Sequence, residues 1–185
     1  MALTYSSYKA LQKESIAPDF FLPSIDGKNY SLKDFKGKKA LLIVFMCNHC
    51  PYVRPKVAKL AELQSNYAKK GLQIVGINAN DVKKFPEDSF ENMKKFAKEF
   101  KLNFVYLFDE SQQVPKKFGA TCTPDPFLFN EKMLLQYHGR IDDAHGESHE
   151  GSSTNELEEA IIQVLENGKS FVPALPSMGC NIKWK

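Results

Sequence analysis

Seven consecutive apolar residues, Ala40-Leu41-Leu42-Ile43-Val44-Phe45-Met46, run directly into Cys47-Asn48-His49-Cys50, and no other feature constrains the fold of this chain as much. The run has the length of a strand and shows no polar–apolar alternation. Such a strand is buried on both faces, which is the interior of a parallel sheet covered by helices. It is far shorter than the roughly 20 residues of a membrane-spanning helix. It predicts an α/β protein with a cysteine pair at the end of a central strand.

The flanking segments fit that prediction. Val53, Val57, Leu60, Ala61 and Leu63 fall near helical spacing, so a helix is expected from Pro51 to about Lys70, with Gly71 as its stop. Leu72–Ile77 reads as a second buried strand, Glu87 to about Lys101 as a helix, Phe104–Phe108 as a third strand and Ser111–Phe118 as a short helix. Phe127–Asn130 and Leu134–His138 flank Glu131-Lys132-Met133 as an antiparallel hairpin. A polar loop over Arg140–Thr154 then leads to an amphipathic helix over Asn155–Glu166. Upstream, Pro18–Pro23 reads as extended chain, Asp26-Gly27 as a tight turn and Ser31–Phe35 as a short helical turn. The expected sheet is parallel first and antiparallel at one edge. The 185 residues suit a single domain, with a core over about 18–166 and a C-terminal tail over 167–185.

Composition narrows the class. Hydrophobic residues make up 43% and charged residues 25%, which excludes global disorder. A net charge of +3 with dispersed lysines gives no reason to expect nucleic acid or membrane partners. The segment Met1–Lys9 lacks a basic start followed by an apolar run, so the expected location is cytoplasmic. In a reducing compartment, Cys47, Cys50, Cys122 and Cys180 are not expected to form a structural disulfide framework.

Three readings of Cys47-Asn48-His49-Cys50 follow from its place between strand and helix. A cysteine at a helix start meets backbone N–H donors and the positive end of the dipole, both of which favour the nucleophilic thiolate. Two intervening residues let one thiol attack a substrate and the other resolve the mixed disulfide. The second reading is a metal-binding module using Cys47, Cys50 and a histidine, which needs further ligands from His138, His145, His149, Cys122 or Cys180. The third is a pair of buried bystanders. His49 either adds positive charge beside a thiolate or is a solvated loop residue.

Thr121-Cys122-Thr123-Pro124-Asp125-Pro126-Phe127 precedes the hairpin, and Pro55 stands five residues beyond Cys50. Together with the C-x-x-C, these residues resemble the thioredoxin superfamily over about Pro18–Glu166. Ala17-Pro18-Asp19-Phe20 with Asp26-Gly27 and Leu32 is similar to its redoxin branch, of the alkyl hydroperoxide reductase/thiol-specific antioxidant type. Cys47-Asn48-His49-Cys50-Pro51-Tyr52-Val53, Gly139-Arg140-Ile141-Asp142-Asp143 and the Lys183-Trp184-Lys185 tail resemble a peroxiredoxin-like bacterial group within it.

The resemblance implies a thioredoxin fold: a central mixed β-sheet flanked by helices, with an N-terminal redoxin-type extension. It also implies an antioxidant-type oxidoreductase without a cofactor or metal. Protein or small-molecule disulfides, or hydroperoxides, would be the substrates, and a thiol reductant the electron donor. Pro124 would be a cis-proline packed on the pair, Thr123 would offer backbone groups to substrate, and Pro55 would kink the active-site helix. Cys47 would attack as the more exposed thiolate, Cys50 would resolve, and His49 would tune thiolate stability.

The departures from the pattern are specific. Met46 stands where the typical thioredoxin has Trp. Ala40–Met46 carries no carboxylate, so the buried acid of thioredoxin is missing at that place. For the peroxidase alternative, Cys50 would be the peroxidatic cysteine of a P-x-x-x-[TS]-x-x-C motif, with Cys47 in the Thr/Ser position and Ile43 in the Pro position.

Outside the pair, Cys122 is either an auxiliary thiol near Cys47 or an idle buried one. Cys180 is a distal resolving thiol, a link between chains, or idle. Arg54 and Arg140 either add positive charge to the site or lie on the surface. Asn78-Ala79-Asn80-Asp81, at the C-terminal end of a strand, either lines the site or is a plain loop. The acidic, His-containing loop Asp142-Asp143, His145, Glu147, His149 and Glu150 reads as solvated.

Overall fold

Alternate side chains of the central strand point into two separate cores, which is why its sequence is apolar without interruption. The computed structural model describes residues 3–185; Met1 and Ala2, the start of the segment read for signal character, lie outside the described residues. The strands are β1 (Leu3–Tyr5), β2 (Phe21–Pro23), β3 (Asn29–Ser31), β4 (Ala40–Phe45), β5 (Leu72–Asn78), β6 (Val105–Phe108), β7 (Cys122–Thr123), β8 (Asp125–Asn130), β9 (Leu135–His138) and β10 (Met178–Asn181). The helices are α1 (Val57–Tyr67), α2 (Phe90–Glu99), α3 (Gln113–Phe118) and α4 (Glu156–Asn167).

The main sheet has the order β6-β5-β4-β8-β9. β4 runs parallel to β5 and antiparallel to β8, so parallel pairing gives way to antiparallel pairing as expected. Ala40, Leu42 and Val44 face a core built with α1, α2 and α4, while Leu41, Ile43 and Phe45 face a second core built with α3 and the N-terminal segment. Gly71 ends the α1 segment in a left-handed conformation, φ 108°, that residues with a Cβ rarely adopt. Asp26-Gly27 turns the β2–β3 hairpin, as its sequence predicts.

Two expectations need correction. The α-helix after the cysteines does not begin at Pro51: a 3-10 turn covers Arg54–Lys56 and α1 starts at Val57. Pro55 therefore sits in the entry turn, where its missing N–H costs no helical hydrogen bond, and it does not kink α1. The 167–185 segment is not an appendage to the core. β10 is the middle strand of a second sheet, β1-β10-β7, with Cys180 opposite both Leu3 and Thr123. Met178-Gly179-Cys180-Asn181 has neither alternation nor β-branched residues, so only long-range pairing reveals it as a strand.

The N-terminal segment before Pro18 is also built in, with Leu11 and Ala17 buried and Ser15 bonded to Leu135. No helix among the described residues is long and apolar enough to cross a membrane. At the C-terminal ends of β4 and β5, the small sheet closes over the loop that carries Cys47 and Cys50.

Candidate active site

Met46 donates its N–H to Ile77 O at 2.9 Å, which extends the β4–β5 ladder to the edge of the cysteine loop. The Cys50 carbonyl accepts from Val53 N at 3.0 Å and Arg54 N at 3.1 Å, and the chain turns into the helix there. Cys47 is 1% exposed and Cys50 is 0% exposed. The expected contrast between an outer and an inner sulfur is therefore absent. All four cysteines are thiols in this structure.

The two sulfurs differ in their hydrogen bonds. The Cys47 thiol donates to Cys50, and Thr123 together with the thiol and backbone of Cys180 adds further hydrogen bonds. Against the opposing effect of burial, these donors bring Cys50 down to about 5. Cys47 moves the other way, because its proton is held on Cys50 and because burial and the charge of Asp88 disfavour its thiolate. The pair titrates as a unit, and the first proton lost leaves the charge on Cys50. These directions favour charge on Cys50 over charge on Cys47, whereas the sequence reading gives the attacking role to Cys47. Thr123 touches both sulfurs: its carbonyl lies 3.2 Å from Cys50 Sγ and its hydroxyl 3.6 Å from Cys47 Sγ. The Thr123–Pro124 peptide is cis, as the resemblance implies.

A buried carboxylate is present, though not on β4. Asp88 Oδ1 accepts from Asn48 N at 2.8 Å and His49 N at 3.3 Å, and Oδ2 accepts from Asn80 Nδ2 at 2.7 Å and pairs with His49 Nδ1 at 2.6 Å. Asn78 Nδ2 donates to the Asp88 carbonyl at 2.7 Å, so Asn78 and Asn80 do line the site. The Asn48 side chain donates to Glu87 O and accepts from Tyr106 Oη. His49 stacks on Phe85 with ring centroids 5.5 Å apart. The hydrogen bond to Asp88 raises its pKa, so its charge serves Asp88 first and Cys50 second. The aspartate falls in the first turn of the helix expected from Glu87, which is a common place for an acid. Nothing in the sequence shows that this turn folds back onto residues 48 and 49.

Among the described residues, Cys47, His49 and Asp88 are the one group whose ligand atoms lie close enough together to hold a metal, all within 4.8 Å of one another. Cys50, which the metal reading needs, is not among them. Both Asp88 oxygens are already occupied by four N–H groups, and Cys47 favours its protonated form. The donor set suits an internal hydrogen-bond network better than a metal.

Similarity to known proteins agrees with this arrangement. The AhpC/TSA family model matches residues 14–138. The chain belongs to the AhpC/TSA family. Curated relatives of this AhpC/TSA protein include a chloroplastic peroxiredoxin Q from Triticum aestivum, 31% identical over 69% of this chain and 58% of the relative. A thiol-disulfide oxidoreductase ResA from Geobacillus thermodenitrificans is 28% identical over 69% of this chain and 68% of its own length. The chain thus spans somewhat more than half of the plant peroxiredoxin it matches. A crystal structure of a conserved protein from Geobacillus kaustophilus superposes with a TM-score of 0.91 at 39% identity, covering 100% of this chain and 97% of that one. The fold is the thioredoxin fold, in a chain of the AhpC/TSA family.

The AhpC/TSA protein brings Cys47, Cys50, His49, Thr123 and Cys180 together and leaves Cys122 apart. Cys122 Sγ meets the carbonyls of Pro124 at 3.7 Å and Ser177 at 3.9 Å, and burial drives its pKa strongly upward. Arg54 reaches the cysteine loop, donating to Asn48 O at 3.3 Å while pairing with Glu99, whereas Arg140 is engaged elsewhere with Glu156. The acidic loop is not wholly solvated. Asp142 is buried in a pair with buried Lys56 at 2.5 Å and holds His149 at 2.9 Å.

Proposed function

We propose that this protein is a thiol–disulfide oxidoreductase whose redox pair is Cys47 and Cys50. The observation that carries the reading is the meeting of both sulfurs at Thr123, Cys47 Sγ 3.6 Å from its hydroxyl and Cys50 Sγ 3.2 Å from its carbonyl, with the surroundings favouring the thiolate on Cys50 and the thiol on Cys47. Cys50 thiolate attacks a substrate disulfide and displaces one substrate thiolate. The Cys47 sulfur then attacks Cys50 Sγ, the second substrate thiolate leaves, and the Cys47 proton passes to it. The substrate gains two electrons and the pair becomes a disulfide, which an external thiol reductant reduces again. Thr123 shapes the contact with both sulfurs, and His49 steadies Asp88. A cytoplasmic site of action is part of the proposal, since a reducing compartment supplies the thiol donor that would re-reduce the pair.

A second reading, a thiol peroxidase acting through Cys50, is favoured by one observation. The acidic thiol is the one at the peroxidatic position of the motif, and its burial favours a small oxidant. Stopped-flow reaction of the reduced protein with a model disulfide and with hydrogen peroxide, in wild type, Cys47→Ser and Cys50→Ser, tests both. The oxidoreductase reading expects fast disulfide reduction, lost in Cys50→Ser and slowed in Cys47→Ser, beside slow peroxide reaction. Fast peroxide consumption that survives Cys47→Ser and vanishes with Cys50→Ser establishes the peroxidase instead.

A further inference from the structure

Cys50 has a second thiol neighbour, and it arrives on the C-terminal strand. Both the side chain and the backbone of Cys180 hydrogen-bond to Cys50. On β10, Cys180 stands opposite Thr123, the residue whose carbonyl and hydroxyl touch the two sulfurs of the pair. It is 3% exposed, as closed off from solvent as the pair itself.

The approach of β10 is built in. A Cβ on Gly179 would lie 2.0 Å from Thr123 O, so only glycine lets the strand lie this close. Beyond Cys180, Lys183 N donates to Asn80 Oδ1 at 2.8 Å, and Asn80 in turn donates to Asp88. On the other side, Ser177 Oγ donates to Pro124 O at 2.6 Å. The strand is therefore fixed at both ends to the same groups that hold the pair, with its cysteine on Cys50.

We infer that Cys180 is a third redox thiol of the site, able to take Cys50 into a Cys50–Cys180 disulfide. The inference rests on the reading of Cys50 as the attacking sulfur. When Cys50 carries a mixed disulfide with a substrate thiol, the Cys180 sulfur attacks Cys50 Sγ. The Cys50–Cys180 bond forms, the substrate thiolate leaves, and the Cys180 proton passes to it. From a Cys47–Cys50 disulfide the same attack releases Cys47 as a thiol and involves no net oxidation or reduction. Cys50 is thus shared between two resolving thiols, and oxidation toward Cys180 ties β10 covalently to the active-site loop.

The test is disulfide mapping on the full chain. Wild type, Cys47→Ser, and Cys47→Ser with Cys180→Ser are reduced, exposed to oxidised glutathione, alkylated, digested and analysed by mass spectrometry. The expected result is an intramolecular Cys50–Cys180 disulfide in Cys47→Ser. In the double variant a glutathione mixed disulfide on Cys50 should persist about tenfold longer or more, because its intramolecular partner is gone. A persistent Cys50–glutathione adduct in Cys47→Ser, with Cys180 alkylated, overturns the inference. If wild type then still forms Cys47–Cys50, the oxidoreductase reading survives. Absence of any product on Cys50 in all three proteins overturns both. Near-native circular dichroism and thermal transitions in each variant exclude misfolding as the cause.

Discussion

Cys50 and Cys122 are both fully buried thiols on either side of Thr123, yet their acidities are driven in opposite directions. Burial penalises the thiolate, and Cys122 shows that effect, with the charge of Asp125 adding to it and a hydrogen bond from Thr121 offsetting little. Cys50 suffers the same penalty and also meets a carbonyl, Thr123 O at 3.2 Å, but hydrogen bonds from Cys47, Thr123 and Cys180 outweigh both. Adjacent residues of a strand point to opposite faces, so Thr123 can serve the pair while Cys122 cannot. The polar groups around a buried sulfur, not its depth, set the direction in which its acidity moves.

The largest expected break in this comparison is chemical. Cys50→Ser lowers disulfide turnover by on the order of 10³-fold, the scale of removing a nucleophile. Cys122→Ala leaves it unchanged, measured in the same disulfide-reduction assay. Equal losses in the two variants would show that the donors on Cys50 have no chemical consequence.

Next comes the pH dependence. The ultraviolet thiolate absorbance of the reduced protein should rise through a midpoint near pH 5 and plateau by neutral pH, and Cys50→Ser should remove that step. Cys122 should contribute no absorbance until the chain unfolds. A first midpoint at the ordinary thiol value would sink the assignment of the charge to Cys50.

Asp88→Asn removes a carboxylate that meets four N–H groups and sets an amide N–H against some of them. A loss of about 2–3 kcal/mol in urea unfolding is expected. His49 sharpens the same point through its pH dependence. Its pKa is raised in the folded state by Asp88, so its contribution to stability is full below the unfolded value of about 6.5 and is lost as pH rises through the folded value. The stability gap between wild type and His49→Gln should accordingly shrink on going from acid to alkaline pH in urea titrations. A constant gap would remove the role assigned to the ion pair. The smallest change is Thr123→Val, which deletes one donor and should move the Cys50 midpoint upward while leaving Cys47 and Cys180 in place.

Most of the main sheet was legible because its signals are local. β4, β5 and β6 are short apolar runs, and α2 and α4 carry their core residues at helical spacing, with ends within about three residues of those expected. The C-x-x-C and the Thr-Pro before β8 were equally plain. Asp88 and β10 were not. Asp88 reads as an ordinary acid in the first turn of a helix, and Met178-Gly179-Cys180-Asn181 as tail. Each acquires its role from partners 39 or more positions away, Asn48 and His49 for Asp88, Thr123 for Cys180. The helix start was misplaced because Pro51 and Pro55 support a turn as readily as a first helical residue.

The order of apolar runs and helical stripes by itself determined an α/β sheet with a cysteine pair at the end of its central strand, because side-chain period and strand length are properties of neighbouring residues. Which of the two sulfurs carries the charge, and which third thiol and which carboxylate stand beside them, was decided only by the tertiary structure. Proton affinity in a buried site depends on the donors and charges within a few ångströms, and here those arrive from Asp88, Thr123 and Cys180, segments that are distant along the chain.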